Sequence, residues 1–241
     1  MTLPVLSTID LATTDPPIDD SRIGQPVPDE TLLGYMKAAV NVTRNVEGDV
    51  VECGVWKGFS FSALAKSLYL IDSGKMLYGY DSWKPIDTSA VEDFSALRLK
   101  ANGSKPRAEL SSIDARASQK DVYRNLLAGR IPKEYIKSHT VLVTGWIEET
   151  LRLTAPTAVS LIHLDVDLYA SYKIAIEVLW PRLSINGMVL MDEYADLTWP
   201  GARLAIDEYL HDVPPTNYSF GIIADGAASG RFYRIALKKM A

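Results

Sequence analysis

The sequence predicts an α/β protein with a Rossmann-like, seven-stranded, mostly parallel sheet, and three observations support this class. Short apolar runs rich in β-branched residues alternate with segments of helical periodicity along most of the chain. Several of these runs end in an acidic or polar residue, as expected where parallel strands reach the ligand-binding edge of an open sheet. The last two runs are separated only by a glycine-rich turn at 225–230, which predicts a C-terminal antiparallel hairpin.

The local patterns predict each element in turn. Residues 1–28 hold five prolines, which favours a flexible N-terminal arm over a packed element. From residue 29 the apolar spacing predicts a helix that ends near Gly48. The predicted strands are 49–52, 76–80, 140–143, 159–164, 188–191, 218–224 and 231–237, and further helices follow the glycine turn at 54–58, run from about 170 to 180 and begin at Pro200.

A long polar insertion at about 82–138 separates the second predicted strand from the third. Ser118, with Asp121 three residues later, predicts the start of a helix inside it. Long insertions beside a binding edge are often functional, so we expect this one to form a helical lid.

Composition and charge exclude several classes of function. The 241 residues suit a single α/β domain, which we expect to cover residues 29–241. A net charge of −5 argues against a nucleic-acid partner, because phosphate backbones bind basic surfaces. The single cysteine, Cys53, is expected to be a buried apolar residue in a reducing cytoplasm. No apolar stretch approaches the roughly 20 residues that span a membrane, so we expect a cytoplasmic protein without a membrane partner.

A glycine turn follows the first predicted strand, in the segment ECGVWKG at 52–58. Gly54 and the glycine four residues later allow close backbone approach, but their spacing differs from the dinucleotide pattern G-x-G-x-x-G. Glu52 is placed to accept a hydrogen bond from an ammonium group. Ser60 or Ser62 is placed to bind a carboxylate at the helix N-terminus. Together these groups suit the amino-acid part of a cofactor.

Asp81 ends the second predicted strand, where a carboxylate commonly holds a ribose diol through its two acceptor oxygens. Its neighbour Ser82 and the aromatic Trp56 are also expected among the cofactor-binding residues, Trp56 lining a sulfonium or sugar face through cation–π and stacking contacts. An acid and a glycine after one strand, with a second acid after the next, predict S-adenosylmethionine as the cofactor.

Acidic residues also follow the fourth and fifth predicted strands, in HLDVD at 163–167 and LMDE at 190–193. The carboxyl ends of parallel strands meet at the same edge of a sheet, so these acids are expected to lie close together. Mg²⁺ prefers oxygen ligands and keeps several waters, which leaves room for a chelating diol from a substrate. The sequence therefore predicts one crowded, acidic site.

Several segments together resemble the macrocin O-methyltransferase family, over roughly residues 30–237. They are 49–58, 145–151, 163–169, 186–194 and 200–203. The resemblance implies a class I methyltransferase sheet and an enzyme that depends on S-adenosylmethionine and Mg²⁺. The implied acceptor is a deoxysugar hydroxyl on a glycosylated natural product of antibiotic biosynthesis. The implied assembly is a homo-oligomer, a dimer or larger.

The resemblance also implies residue roles. The metal-binding residues correspond to Asp165, Asp192 and Glu193, and the candidate base to Asp167; many relatives carry two aspartates where this chain has Asp192-Glu193. Asp165 is also counted as catalytic, because a hydroxyl bound to a divalent cation is more acidic. Asp167 follows two residues later and is expected to face the same side and take the proton. His163, deeper in the sheet, is expected to be a hydrogen-bonded core residue, and it is the alternative candidate for the base.

Two alternatives stay open on the residues alone. A catechol-type O-methyltransferase would use the same cation to chelate two phenolic oxygens, and a panel of glycosides and catechols separates the two enzymes. A non-catalytic S-adenosylmethionine-binding protein would bind the donor without Mg²⁺-dependent turnover.

Overall fold

The architecture comes from a computed structural model of the chain. The structure describes residues 7–8, 30–87, 89–94, 112–113, 117–224 and 233–241. The predicted N-terminal arm, the middle of the predicted lid and the predicted turn at 225–230 lie largely outside these residues.

The described residues form strands and helices in regular alternation. The strands are β1 (Ser7–Thr8), β2 (Asp49–Cys53), β3 (Leu77–Asp81), β4 (Ile86–Asp87), β5 (Ser112–Ile113), β6 (Thr140–Thr144), β7 (Val159–Leu164), β8 (Leu183–Met191), β9 (Tyr218–Ala224) and β10 (Tyr233–Lys239). The helices are α1 (Glu30–Val42), α2 (Phe59–Leu70), α3 (Gln119–Ala128), α4 (Lys133–His139), α5 (Ile147–Thr154), α6 (Tyr169–Leu179) and α7 (Pro200–His211), with short 3₁₀ turns at Val91–Asp93 and Pro215–Asn217.

The main sheet has the strand order β1-β9-β10-β8-β7-β2-β3-β6. The strands from β8 to β6 in this order pair in parallel, whereas β10 is antiparallel to both β8 and β9. This confirms the predicted class I methyltransferase sheet, to which the two-residue β1 adds a short parallel pairing with β9. The chain moves outward from β2 in one direction and then returns to build β7 and β8 on the other side. The strand order therefore reverses between β2 and β7, where open α/β sheets bind their ligands.

Helices cover both faces of the sheet, and this explains why its central strands are apolar throughout. All six residues of β7 are buried, as expected for a parallel strand with helices on both sides. One face packs in a cluster that includes Leu164, Tyr172 and Met191. The other packs in a cluster that includes Phe61 and Leu161. None of the helices in the described part of the chain is long and apolar enough to cross a membrane.

Two element boundaries differ from the sequence prediction by five residues or more. Helix α1 ends at Val42 rather than near Gly48, and the Thr43 hydroxyl bonds back to the carbonyl of Ala39, a local bond that competes with continued helix. Strand β8 begins at Leu183, five residues before the predicted start. Its first half contains Asn186 at φ 68° and a register shift against β7, an irregularity that masks the alternation expected of a strand.

Candidate active site

The acidic site forms at the carboxyl ends of β7 and β8, which are neighbours in the sheet. Leu164 and Met191 are the paired last residues of the two strands, so Asp165 and Asp192 leave the sheet side by side. The Asp192 amide continues the ladder by donating to the Leu164 carbonyl at 3.0 Å. One ligand atom each from His163, Asp165 and Asp192 lies within 4.8 Å of the others. The structure thus brings together the two aspartates that the sequence analysis paired.

His163 joins this cluster from inside the sheet. It is buried, with Nδ1 2.8 Å from Oε1 of Glu52 and Nε2 3.3 Å from Oδ1 of Asp192. Burial alone would lower the pKa of His163, but the hydrogen bonds to Asp192 and Glu52 raise it well above its ordinary value. His163 is therefore the hydrogen-bonded core histidine that the sequence predicts, and it also contacts the acidic site.

The electrostatics of the cluster are those of crowded acids. Burial, followed by the charge of the neighbouring Asp192, raises the pKa of Asp165 to about 7. Asp167 lines the same cavity as Asp165. The strand ends at Leu164, however, so Asp167 does not continue it as expected; it lies in the following turn at φ 59°.

Glu193 occupies a different position from the other acids. It is buried, and its Oε2 lies 2.7 Å from the hydroxyl of Tyr172. Burial, followed by the charge of Asp165, raises the pKa of Glu193 well above its ordinary value. Within the described part of the chain, the converging set of three potential ligands contains His163 instead of Glu193. The role of Glu193 as a metal ligand stays a prediction.

A cavity of about 290 Å³ extends from the acidic site to the glycine turn. Its wall includes the predicted cofactor residues Gly54, Trp56, Asp81 and Ser82. Trp146, Ile147 and Glu148 also line it, and the sequence analysis did not assign them; their signal is a polar turn directly after the third parallel strand, at 144–146.

Gly54 brings the glycine turn against the acidic strand end. Its φ is 87°, and a Cβ at this position would overlap the carbonyl group of Asp165, lying 2.6 Å from the carbonyl carbon and closer still to the oxygen. Only glycine allows this approach without strain. The two halves of the cavity therefore meet through a backbone contact between β2 and β7.

Asp81 organises the glycine turn. Its Oδ2 accepts hydrogen bonds from the amides of Val55 at 2.9 Å and Trp56 at 2.7 Å, and its Oδ1 accepts one from the amide of Trp83 at 2.6 Å. The Trp83 indole in turn donates to the Trp56 carbonyl at 2.8 Å. A carboxylate has about four acceptor positions, so one remains for a ribose hydroxyl. The predicted ribose contact stays a prediction.

The other predicted cofactor residues lie behind the cavity wall. Glu52, Ser60 and Ser62 are all buried, and none of them is among the residues that line the cavity. Glu52 Oε1 is bound to His163, and the Ser62 hydroxyl lacks a hydrogen-bond partner among the described residues. Their contacts with a cofactor remain predictions.

A family model described as Macrocin-O-methyltransferase (TylF) matches residues 30–216. The chain belongs to the macrocin-O-methyltransferase family. Membership confirms the resemblance that the sequence motifs carried.

Relatives of this macrocin-O-methyltransferase family member agree with that assignment. The chain is 27% identical over 169 residues to a demethyldecarbamoylnovobiocin O-methyltransferase of Streptomyces niveus. It is 28% identical over 156 residues to an 8-demethyl-8-(2,3-dimethoxy-alpha-L-rhamnosyl)-tetracenomycin-C 4'-O-methyltransferase of Streptomyces olivaceus. These matches cover 70% and 62% of this chain, and they span only 60% and 54% of the two relatives.

The fold of this family member also matches a solved structure. The O-methyltransferase NovP superposes with a TM-score of 0.65 at 23% identity, over 88% of this chain and 80% of NovP. At this identity the likeness supports the fold.

Proposed function

We propose that this protein transfers a methyl group from S-adenosylmethionine to a sugar hydroxyl of a glycosylated natural product, with Mg²⁺ holding an acceptor diol. The observation that carries the proposal is the shared cavity. Asp165 and Asp167 line it together with Gly54 and Asp81 of the glycine turn. A donor held by the turn and an acceptor held by the acids would therefore lie next to each other.

The chemistry of the acidic residues fits a hard divalent cation. Asp165 and Asp192 are carboxylates on adjacent strand ends, and both are only partly buried. Carboxylate oxygens suit Mg²⁺, whereas His163 already faces a carboxylate at each ring nitrogen. Asp165 and Asp192 are thus the residues that would hold the ion, with His163 bracing Asp192. Bound there, Mg²⁺ would lower the pKa of an acceptor hydroxyl.

Acceptance of the hydroxyl proton and orientation of the cofactor are assigned to side chains that line the cavity. Asp167 faces the same cavity and is proposed as the base that accepts the hydroxyl proton. Trp146 is 37% exposed and lines the cavity, so it offers a stacking surface to the adenine. Holding donor and acceptor in line supplies much of the rate enhancement expected for such a transfer.

Family membership supports methyl transfer, and the named activities of the two relatives support an antibiotic-type acceptor. The rhamnosyl group in the name of the Streptomyces olivaceus relative supports a sugar hydroxyl over a catechol. A homo-oligomeric state and a cytoplasmic location stay predictions. Light scattering of the purified protein tests the first.

The deciding experiment measures transfer of a labelled methyl group by mass spectrometry. The protein is incubated with labelled S-adenosylmethionine and a panel of glycosides and catechols, with Mg²⁺ or with a chelator. Labelled glycoside that forms only with Mg²⁺ supports the proposal. Labelled catechol alone would replace the acceptor class, and donor binding without any labelled product would contradict enzymatic function.

A further inference from the structure

Helices α6 and α7 begin shortly after the two acidic strand ends, and neither has a side-chain cap of its own. Tyr169 opens α6 four residues after Asp165, and Pro200 opens α7 eight residues after Asp192. The N-cap residues are Leu168 and Trp199, and neither side chain makes a capping hydrogen bond. Helix N-termini leave amide groups that need acceptors, so a partner from elsewhere is expected.

Asp93 supplies an acceptor from the insertion between β3 and β6. It is only 1% exposed, and its Oδ1 accepts a hydrogen bond from the Tyr169 amide at 2.8 Å. Its short 3₁₀ turn, Val91–Asp93, packs against α7. A carboxylate at the positive end of a helix is electrostatically favourable.

Gly201 brings the second helix to the same carboxylate. A Cβ at position 201 would lie 2.8 Å from the Cβ of Tyr169 and closer still to Oδ1 of Asp93. Any side chain there would push apart α6, α7 or the insertion. This contact gives a physical reason for the glycine in the segment 200–203, which the sequence analysis singled out only by resemblance.

We propose that Asp93 is a positioning residue that holds the first turns of α6 and α7 together and thereby sets the spacing of Asp165 and Asp192. Two loops lead from Asp165 to α6 and from Asp192 to α7. The strand ladder already fixes the ends of these loops that lie at the sheet, through the hydrogen bond from the Asp192 amide to the Leu164 carbonyl. Asp93 fixes their far ends. The inference rests on the proposed function in one respect, namely that the two aspartates hold a cation.

The first test measures ligand affinities separately. Mn²⁺ binding is followed by electron paramagnetic resonance and S-adenosylhomocysteine binding by calorimetry. Asp93→Ala is expected to weaken Mn²⁺ binding about tenfold, as the loss of a residue that orients metal ligands does. The S-adenosylhomocysteine affinity should stay within about threefold of that of the unaltered protein. This comparison excludes general unfolding, which would weaken the binding of both Mn²⁺ and S-adenosylhomocysteine. Gly201→Ala should reproduce the selective loss with Asp93 intact.

The matched control is Glu92→Gln, which alters the neighbouring acid of the same 3₁₀ turn and should leave both affinities unchanged. Asp93→Asn keeps an acceptor of the same shape and should retain more Mn²⁺ affinity than Asp93→Ala. Equal Mn²⁺ affinity in Asp93→Ala and Glu92→Gln would overturn the inference. If Asp93→Ala does not fold, Gly201→Ala and Asp93→Asn carry the comparison.

The second test needs no metal, so it separates this inference from the proposed function. Hydrogen exchange of the metal-free protein is compared in peptides covering 165–171 and 192–203. Asp93→Ala should speed exchange in both peptides, and Glu92→Gln in neither. Faster exchange confined to 165–171 would show that Asp93 caps α6 alone and would refute the coupling. Absence of Mn²⁺ binding in the unaltered protein would instead refute the metal part of the proposed function.

Discussion

Replacing Gly54 by alanine tests the contact that joins the glycine turn to the acidic site. Gly54 has a φ of 87°, and a Cβ there would lie 2.6 Å from the carbonyl carbon of Asp165 and closer to its oxygen. Both the local backbone and the β2–β7 junction must change in Gly54→Ala. The Asp165 amide donates to the Cys53 carbonyl at 3.0 Å directly beside this contact, so that bond is strained first.

The expected loss follows from these two effects. A left-handed conformation costs an alanine about 1–2 kcal/mol. Losing one buried backbone hydrogen bond adds about 1 kcal/mol. Gly54→Ala should therefore lower the free energy of unfolding by roughly 2–3 kcal/mol, a large share of the 5–15 kcal/mol that is typical of folded proteins.

The assay is urea unfolding with linear extrapolation, followed by fluorescence and circular dichroism. The matched control is Gly74→Ala, because among the described residues, its chain neighbours aside, no atom lies within 4 Å of a Cβ there. That variant should stay within about 0.5 kcal/mol of the unaltered protein. If Gly54→Ala unfolds at the same urea concentration as Gly74→Ala, the close approach of β2 to Asp165 is wrong.

Three further predictions concern the site. Burial and the charge of Asp192 raise the pKa of Asp165 to about 7. Between about pH 4 and 7 the folded protein therefore holds a proton that the unfolded chain has released, and the stability of the fold decreases as the pH rises. In chelator at pH 8, Asp165→Asn should therefore be more stable by about 2–4 kcal/mol, a gain that vanishes near pH 4 in thermal melts. Trp146→Ala should weaken S-adenosylhomocysteine binding about tenfold in calorimetry, through lost stacking. Burial raises the pKa of the Cys53 thiol, so iodoacetamide should label it only in urea, as read by mass spectrometry.

Each of these has a control and a contradicting outcome. Asp212→Asn changes an exposed acid and should show no pH-dependent gain; a destabilised Asp165→Asn at pH 8 would contradict the crowding of the acids. Leu153→Ala alters an 84% exposed residue of α5 and should keep full affinity. An unchanged affinity in Trp146→Ala would remove this residue from the cofactor site. Labelling of Cys53 without urea would mean that β2 opens readily.

The fold and the pairing of the two aspartates could be predicted from the sequence because both depend on periodicity. Alternating apolar runs identify parallel strands, and neighbouring strands deliver their end residues to one edge. Asp165 and Asp192 lie together for this reason. Family membership confirms the motifs that carried the resemblance.

The side-chain partners could not be predicted in the same way, because they depend on register and on loop packing. Glu52 of β2 and His163 of β7 are paired in the strand register, so the Glu52 carboxylate lies within hydrogen-bond distance of the His163 imidazole inside the sheet. Both carboxylate oxygens of Asp81 accept hydrogen bonds from backbone amides of a turn, and the shape of that turn does not follow from any sequence periodicity. Asp93 reaches Tyr169 across 76 positions of sequence, and only the folded chain shows the contact.

The position of β10 has a consequence for how the protein is made. Residues 233–239 lie between β8 and β9, both of which leave the ribosome earlier. A nascent chain that lacks residues 233–239 leaves the edge of β8 unpaired, and an unpaired strand edge is a template for pairing with other chains. During synthesis, chaperones would therefore protect the unpaired edge of β8 until β10 is added. Chains truncated before β10 are expected to accumulate in inclusion bodies.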